Sequence, residues 1–154
     1  MSTVSIEIHW DLPGERPLSD ERVAEVALAA LEFGERGSLS LSVVFVDDAA
    51  LSALHGRFLG DESPTDVMSF DLGEDTPGPG GELYVSVERA VARAEERQVP
   101  LGRELALYVV HGALHLCGYD DHELADRAVM RGAEAKVMST LGFPPDDAPH
   151  ELGA

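Results

Sequence analysis

The stretch HGALHLCGYDDHE, residues 111–123, limits what this chain can fold into more than any other. His111 and His115 lie four apart, and at a helix's roughly 100° per residue both imidazoles fall on one face, a turn apart. Leu105 to Cys117 is apolar almost all round, so the segment reads as a buried central helix. A buried imidazole without a hydrogen bond or a metal costs roughly 1–3 kcal/mol, and here two share one face. A lone histidine is satisfied by a carbonyl or a carboxylate from another element. A pair in register with a third donor points instead to one cation held between them.

Gly118 stands three residues after His115, where a left-handed C-cap stops a helix and swings the chain back toward that face. Tyr119, Asp120, Asp121 and His122 follow. The order His111, His115, Gly118, Asp121 is similar to the ligand spacing of the HExxHxxGxxH zinc proteases, with Asp121 or the adjacent His122 as third ligand. The Glu that those proteases use as general base is absent, because Gly112 stands in its place. Cys117 is about 200° around the helix from His115 and reads as core.

A length of 154 residues fits one domain with a core that needs no disulfides. Residues 1–143 are expected to form it and residues 144–154, Pro-rich and polar, a flexible tail. The first ten residues hold no basic segment followed by an apolar run, and no apolar stretch is long enough to span a bilayer. With its single cysteine, the chain is expected in the reducing cytoplasm. The net charge of −18 repels phosphate at long range. Lys136 is the one lysine, so contacts to a nucleic acid must be local and made by a few arginines and a metal.

Residues 3–10 alternate as a half-buried strand, with His9 on its solvated side. Ser19 is placed to cap a helix bearing Val23, Val26, Ala27, Ala30 and Leu31. Residues 39–46 form a second, more buried strand. Asp47 or Asp48 caps a short helix with Leu51, Leu54 and Phe58 on one stripe. Residues 66–72 and 82–87 alternate as a third and a fourth strand, joined by the Gly- and Pro-rich run 73–81, a mobile hairpin loop. A charged helix over residues 89–97 is expected to turn Val91 and Ala94 inward and its Arg and Glu to solvent. After the central helix, Leu124, Ala128, Met130, Val137, Met138 and Leu141 mark a last amphipathic helix. Together these elements predict an α+β domain: a single small mixed four-stranded sheet with about five helices, mainly on one face, and a zincin-like metal helix across it. The histidines are expected to look into a cleft roofed by the third and fourth strands and residues 60–65.

Three ordered segments resemble the YbeY family of bacterial rRNA maturation factors, metal-dependent endoribonucleases. HGALHLCGYDDH is similar to that family's HGxLHLxGYDH, SPTDVMSF (Pro64, Thr65, Asp66 and Ser69) to its PTDVLSF, and GELYVSVERA (Gly81–Ala90) to its GDIxIS segment. The resemblance implies an α+β fold, one zinc ion held by three side chains, and a cytoplasmic role in ribosome biogenesis. It also implies single-stranded RNA or rRNA as substrate, and ribosomes and small-subunit proteins as partners. The family's third ligand is a His in the register that Asp121 occupies here, with His122 one residue late, so either residue fits. The family's LNxxYRG segment corresponds to residues 54–60, where His55 replaces the Asn and Leu59 the Arg, and Arg57 lies two positions early.

Hydrolysis of RNA phosphodiester bonds is the expected chemistry: three ligands leave zinc one position for a water whose pKa falls toward 7. With no Glu after His111, proton transfer falls to Asp120, to whichever of Asp121 and His122 does not bind metal, or to His55. Arg57 is the candidate phosphate contact. The rivals are a metallopeptidase, which the absent Glu disfavours, and a non-catalytic zinc-stabilised ribosome-assembly factor, which the negative charge favours.

Overall fold

In the computed structural model the described residues are 5–14, 16–59, 66–73 and 78–143, less the side chains of residues 57–59. The alternating apolar residues fold into strands β1 (Ile6–Trp10), β2 (Leu41–Val46), β3 (Val67–Asp71) and β4 (Gly81–Ser86). The helices are α1 (Asp20–Phe33), α2 (Asp48–Leu59), α3 (Val87–Arg97), α4 (Leu101–Leu116) and α5 (Leu124–Thr140). Caps fall where side chains can supply them. The Ser19 hydroxyl accepts from the Arg22 amide at 3.1 Å, Asp47 from Ala50 at 2.7 Å, and Ser86 from Arg89 at 3.1 Å.

The sheet runs β1-β2-β4-β3, with β1, β2 and β4 parallel and β3 antiparallel to β4. Parallel neighbours need long crossovers, and α1 provides the one from β1 to β2. Period-two alternation gives the sheet two apolar faces. Val43, Phe45, Val67, Leu83 and Val85 join the main core with residues of α1, α4 and α5. Val44, Val46, Met68, Phe70 and Tyr84 pack on the other face against Leu51 and Leu54 of α2. The architecture is the expected α+β arrangement around one mixed four-stranded sheet.

Several faces differ from the sequence reading. Val91 is 37% exposed, and Ala90 with Ala94 forms the inner stripe of α3. Val91 instead lines a hollow of about 330 Å³ with Trp10, Leu12, Arg16, Val87 and Leu101, at the end of α4 away from its histidines. The arginines of α3 are not simply solvated. Arg89 Nε lies 3.3 Å from the fully buried carboxylate of Asp66, and Arg97 reaches the fully buried Glu104 at 3.1 Å. Buried carboxylates need such partners. Leu124 is 80% exposed and Ala128 is exposed, so the inner face of α5 is Met130, Ala133, Glu134, Val137 and Met138. Residues 60–65, expected to roof a cleft, residues 74–77 of the 73–81 hairpin loop, the first four residues and the 144–154 tail lie outside the described residues.

Candidate metal centre

Helix α4 runs through the core with its residues buried nearly all round, and His111 keeps only 1% of its surface exposed. Its Gly112 faces the sheet. A Cβ there would stand 2.9 Å from Leu83 Cδ2, 3.1 Å from Val67 Cγ2 and 3.2 Å from Ser69 Oγ. The helix therefore lies so close to β3 and β4 that a side chain at position 112 would push Leu83, Val67 and Ser69 out of place.

The helix stops as its sequence requires. Gly118 has φ +100°, its amide donates to the His115 carbonyl, and the Tyr119 amide donates back to Leu114. This pair of bonds is the Schellman closure, which places the αL residue just past the last turn. Arg36 donates to the Leu116 carbonyl and holds Asp71 of β3 at 2.9 Å, tying the end of α4 to the sheet. The chain then turns through Asp120, whose Oδ1 accepts from the amides of Asp121 at 2.7 Å and His122 at 3.1 Å. Arg127 Nε donates to the Asp121 carbonyl at 3.2 Å.

These contacts bring Asp121 back over the two imidazoles. Asp121 Oδ2 lies 3.6 Å from His111 Nε2, and Oδ1 lies 3.7 Å from His115 Nε2. The rings stand nearly perpendicular, with centroids 4.7 Å apart. One donor atom from each of the three residues lies within 4.8 Å of the others, a metal-binding group. Donors sharing one tetrahedral ion at bonds of about 2.0–2.2 Å sit about 3.3–3.6 Å apart, near the separations found here, so the three residues suit a metal ion. Asp121 is 7% and His115 27% exposed at the side chain, so solvent reaches the centre from the His115 side. Burial, and then the neighbouring His111, push the His115 imidazole below its ordinary pKa against the pull of Asp121, favouring the neutral form that can ligate.

The remaining sequence candidates separate from this point. His122 is 74% exposed, with Nε2 3.5 Å from Asp120 Oδ1. It groups with Asp120 and Asp121 at the surface, away from the buried imidazole. His55 is buried on α2, whose Leu51 and Leu54 pack on the sheet face opposite Gly112. Arg57 is in the same helix, and its side chain lies outside the described residues. Cys117 is not in the donor group, and burial pushes its thiol pKa up. Glu134 was not singled out from the sequence. It is 1% exposed, and its Oε2 lies 2.6 Å from His111 Nδ1. The available signal was a carboxylate at helical spacing between Met130 and Val137 on an otherwise apolar stripe.

Fold and donor set define an α+β protein carrying a three-donor metal-binding group at the end of a buried helix. A sequence model of the family described as Endoribonuclease YbeY matches residues 15–142, and the chain belongs to that family. An Endoribonuclease YbeY of Rhodopirellula baltica is 42% identical over 122 residues, spanning 78% of this chain and 62% of that relative. One from Moorella thermoacetica is 40% identical over 142 residues, covering 84% of this chain and 90% of the relative. One from Pelotomaculum thermopropionicum is 39% identical, covering 79% and 84%. The solution structure of TM1509 from Thermotoga maritima is similar in fold, with a TM-score of 0.56 at 24% identity over 88% of this chain and 90% of that one.

Proposed function

We propose that this protein is a metal-dependent endoribonuclease of rRNA maturation that cuts single-stranded RNA internally by hydrolysis. The observation that carries the mechanism is the convergence of His111, His115 and Asp121 on one point open to solvent beside His115. Membership of a family named for endoribonuclease activity supports the substrate class. Zinc, one per chain, is the cation that this nitrogen and oxygen donor set suits. When bound, it supplies acidity to a water and neutralises charge developing on a phosphate oxygen.

The chain's own residues do the rest. Asp121 is the third ligand, because its carboxylate faces both imidazoles while His122 is turned to solvent. His122 and Asp120, 3.5 Å apart and next in the chain, handle the proton. Asp120 also fixes the turn through its two amide contacts, which holds its own carboxylate in place. The protein works in the cytoplasm on ribosomal RNA beside small-subunit proteins. RNA bound to a partner particle removes the need for long-range attraction to a chain of net charge −18. No helix among the described residues is long and apolar enough to cross a membrane.

The test is cleavage of a single-stranded RNA by purified protein beside a folded His111→Ala variant, each with zinc and with chelator. Cutting is expected from the zinc-loaded parent alone. Equal cutting by both proteins would trace the activity to a contaminant and leave only a binding role in ribosome assembly, the reading that the strong negative charge favours.

A further inference from the structure

We infer that Glu134 is a positioning residue for the metal centre, holding His111 through its Nδ1 so that Nε2 faces Asp121 and His115. The inference rests on the reading above that these three side chains hold the cation.

Glu134 lies on the inner stripe of α5 between Met130 and Val137 and keeps 1% of its surface exposed. A carboxylate is costly in such a place unless it is paired and hydrogen-bonded. One Oε2 contact, at 2.6 Å, is to His111 Nδ1, at the short edge of the roughly 2.7–2.9 Å expected when an N–H donates to a carboxylate. Arg131, one turn earlier on the same helix, places Nη1 3.2 Å from both Glu134 oxygens. An ionised carboxylate only accepts, so the bond to it puts a hydrogen on Nδ1, and in the neutral ring this leaves the Nε2 lone pair facing Asp121 Oδ2 at 3.6 Å. The second nitrogen of a ligating imidazole fixes both its tautomer and its ring plane. Twenty-three residues separate the two side chains. The contact thus locks α5 to α4 at an imidazole that has almost no solvent to orient it.

A merely structural ion pair would contribute to stability without governing the imidazole. The two roles part in the full chain with Glu134→Ala and Glu134→Gln variants, read by zinc affinity in competition with a chromophoric chelator and by ¹⁵N NMR of the His111 ring in metal-free protein. Glu134→Ala is expected to weaken zinc binding about 10–100-fold, as loss of such outer partners does, and to mix the two ring tautomers. Glu134→Gln keeps an oxygen that can accept from Nδ1–H and is expected to recover much of the affinity and a predominantly Nδ1–H ring. Zinc affinity within about threefold of the parent in both variants, with an unchanged tautomer, would overturn the assignment. The parent's failure to bind zinc at all would instead sink the metal centre, while the metal-free ring spectrum would still test the Glu134 contact.

Discussion

The Ser69 hydroxyl donates to the Gly112 carbonyl at 3.0 Å, so a strand side chain bonds directly to the backbone of the metal helix. Contact this close is possible because residue 112 carries no side chain. The position that holds a general-base Glu in the zinc proteases points here into the sheet and away from the donors. Peptidase chemistry of that kind is therefore excluded by packing as well as by residue type.

Restoring the protease-like residue tests this. Gly112→Glu forces a carboxylate into a space already filled by Leu83, Val67 and Ser69. Overpacking of this kind costs about 1–3 kcal/mol, and burying an unpaired carboxyl adds to it. The variant is expected to lose about 3 kcal/mol or more in urea denaturation and to gain no casein-cleaving activity. Parent-like stability would show that the helix stands further from the sheet than described.

The choice of third ligand is checked by metal binding. Asp121→Ala is expected to weaken zinc more than about 100-fold, beyond the range for outer partners, and His122→Ala to leave it within a fewfold. Metal present at 100 times its Kd adds about 2.7 kcal/mol of stability, roughly 5–10 °C in Tm for a chain of this size. Chelator should remove that increment from the parent and from His122→Ala, and change Asp121→Ala little. The reverse ranking of the two variants would make His122 the ligand.

Asp71 gives a pH-dependent prediction at the end of the same helix. The Arg36 guanidinium that accompanies the Leu116 carbonyl also bonds Asp71 and, with the Gly73 amide, holds its carboxyl below the ordinary value of 3.8. A depressed carboxylate stabilises the fold above its unfolded pKa, and that contribution disappears as pH falls through the folded value. Asp71 is 52% exposed at the side chain, so its share is about 0.2–1 kcal/mol. Asp71→Asn should cost that much at pH 6 and progressively less toward pH 3, followed by urea midpoints. A cost independent of pH would assign the loss to shape rather than charge.

The elements of this fold were legible in the sequence wherever a local rule decided them. Alternation marked four strands, Ser19 and the pair Asp47 and Asp48 announced helix starts, and Gly118 announced the turn that closes α4. The imidazole pair was legible because helical spacing alone puts both rings on one face. Between Asp121 and His122 spacing was silent, since the answer depends on how the turn after Gly118 is held by Asp120 and Arg127. Faces set by tertiary partners were misjudged. Leu124 looked like core and is surface, while Glu134, not singled out from the sequence, is buried against His111. A carboxylate's partner 23 residues away leaves no periodic trace.

The three donors all fall within the eleven consecutive residues from His111 to Asp121. Bringing together the ends of so short a segment costs little chain entropy compared with joining strands from opposite ends of the polypeptide. The three donors are thus brought together by local chain geometry, the stretch of α4 and its closing turn, with partners on α5 fixing their orientation. The strands precede α4 in the chain and α5 follows it, so this short segment is enclosed by elements from both of its sides.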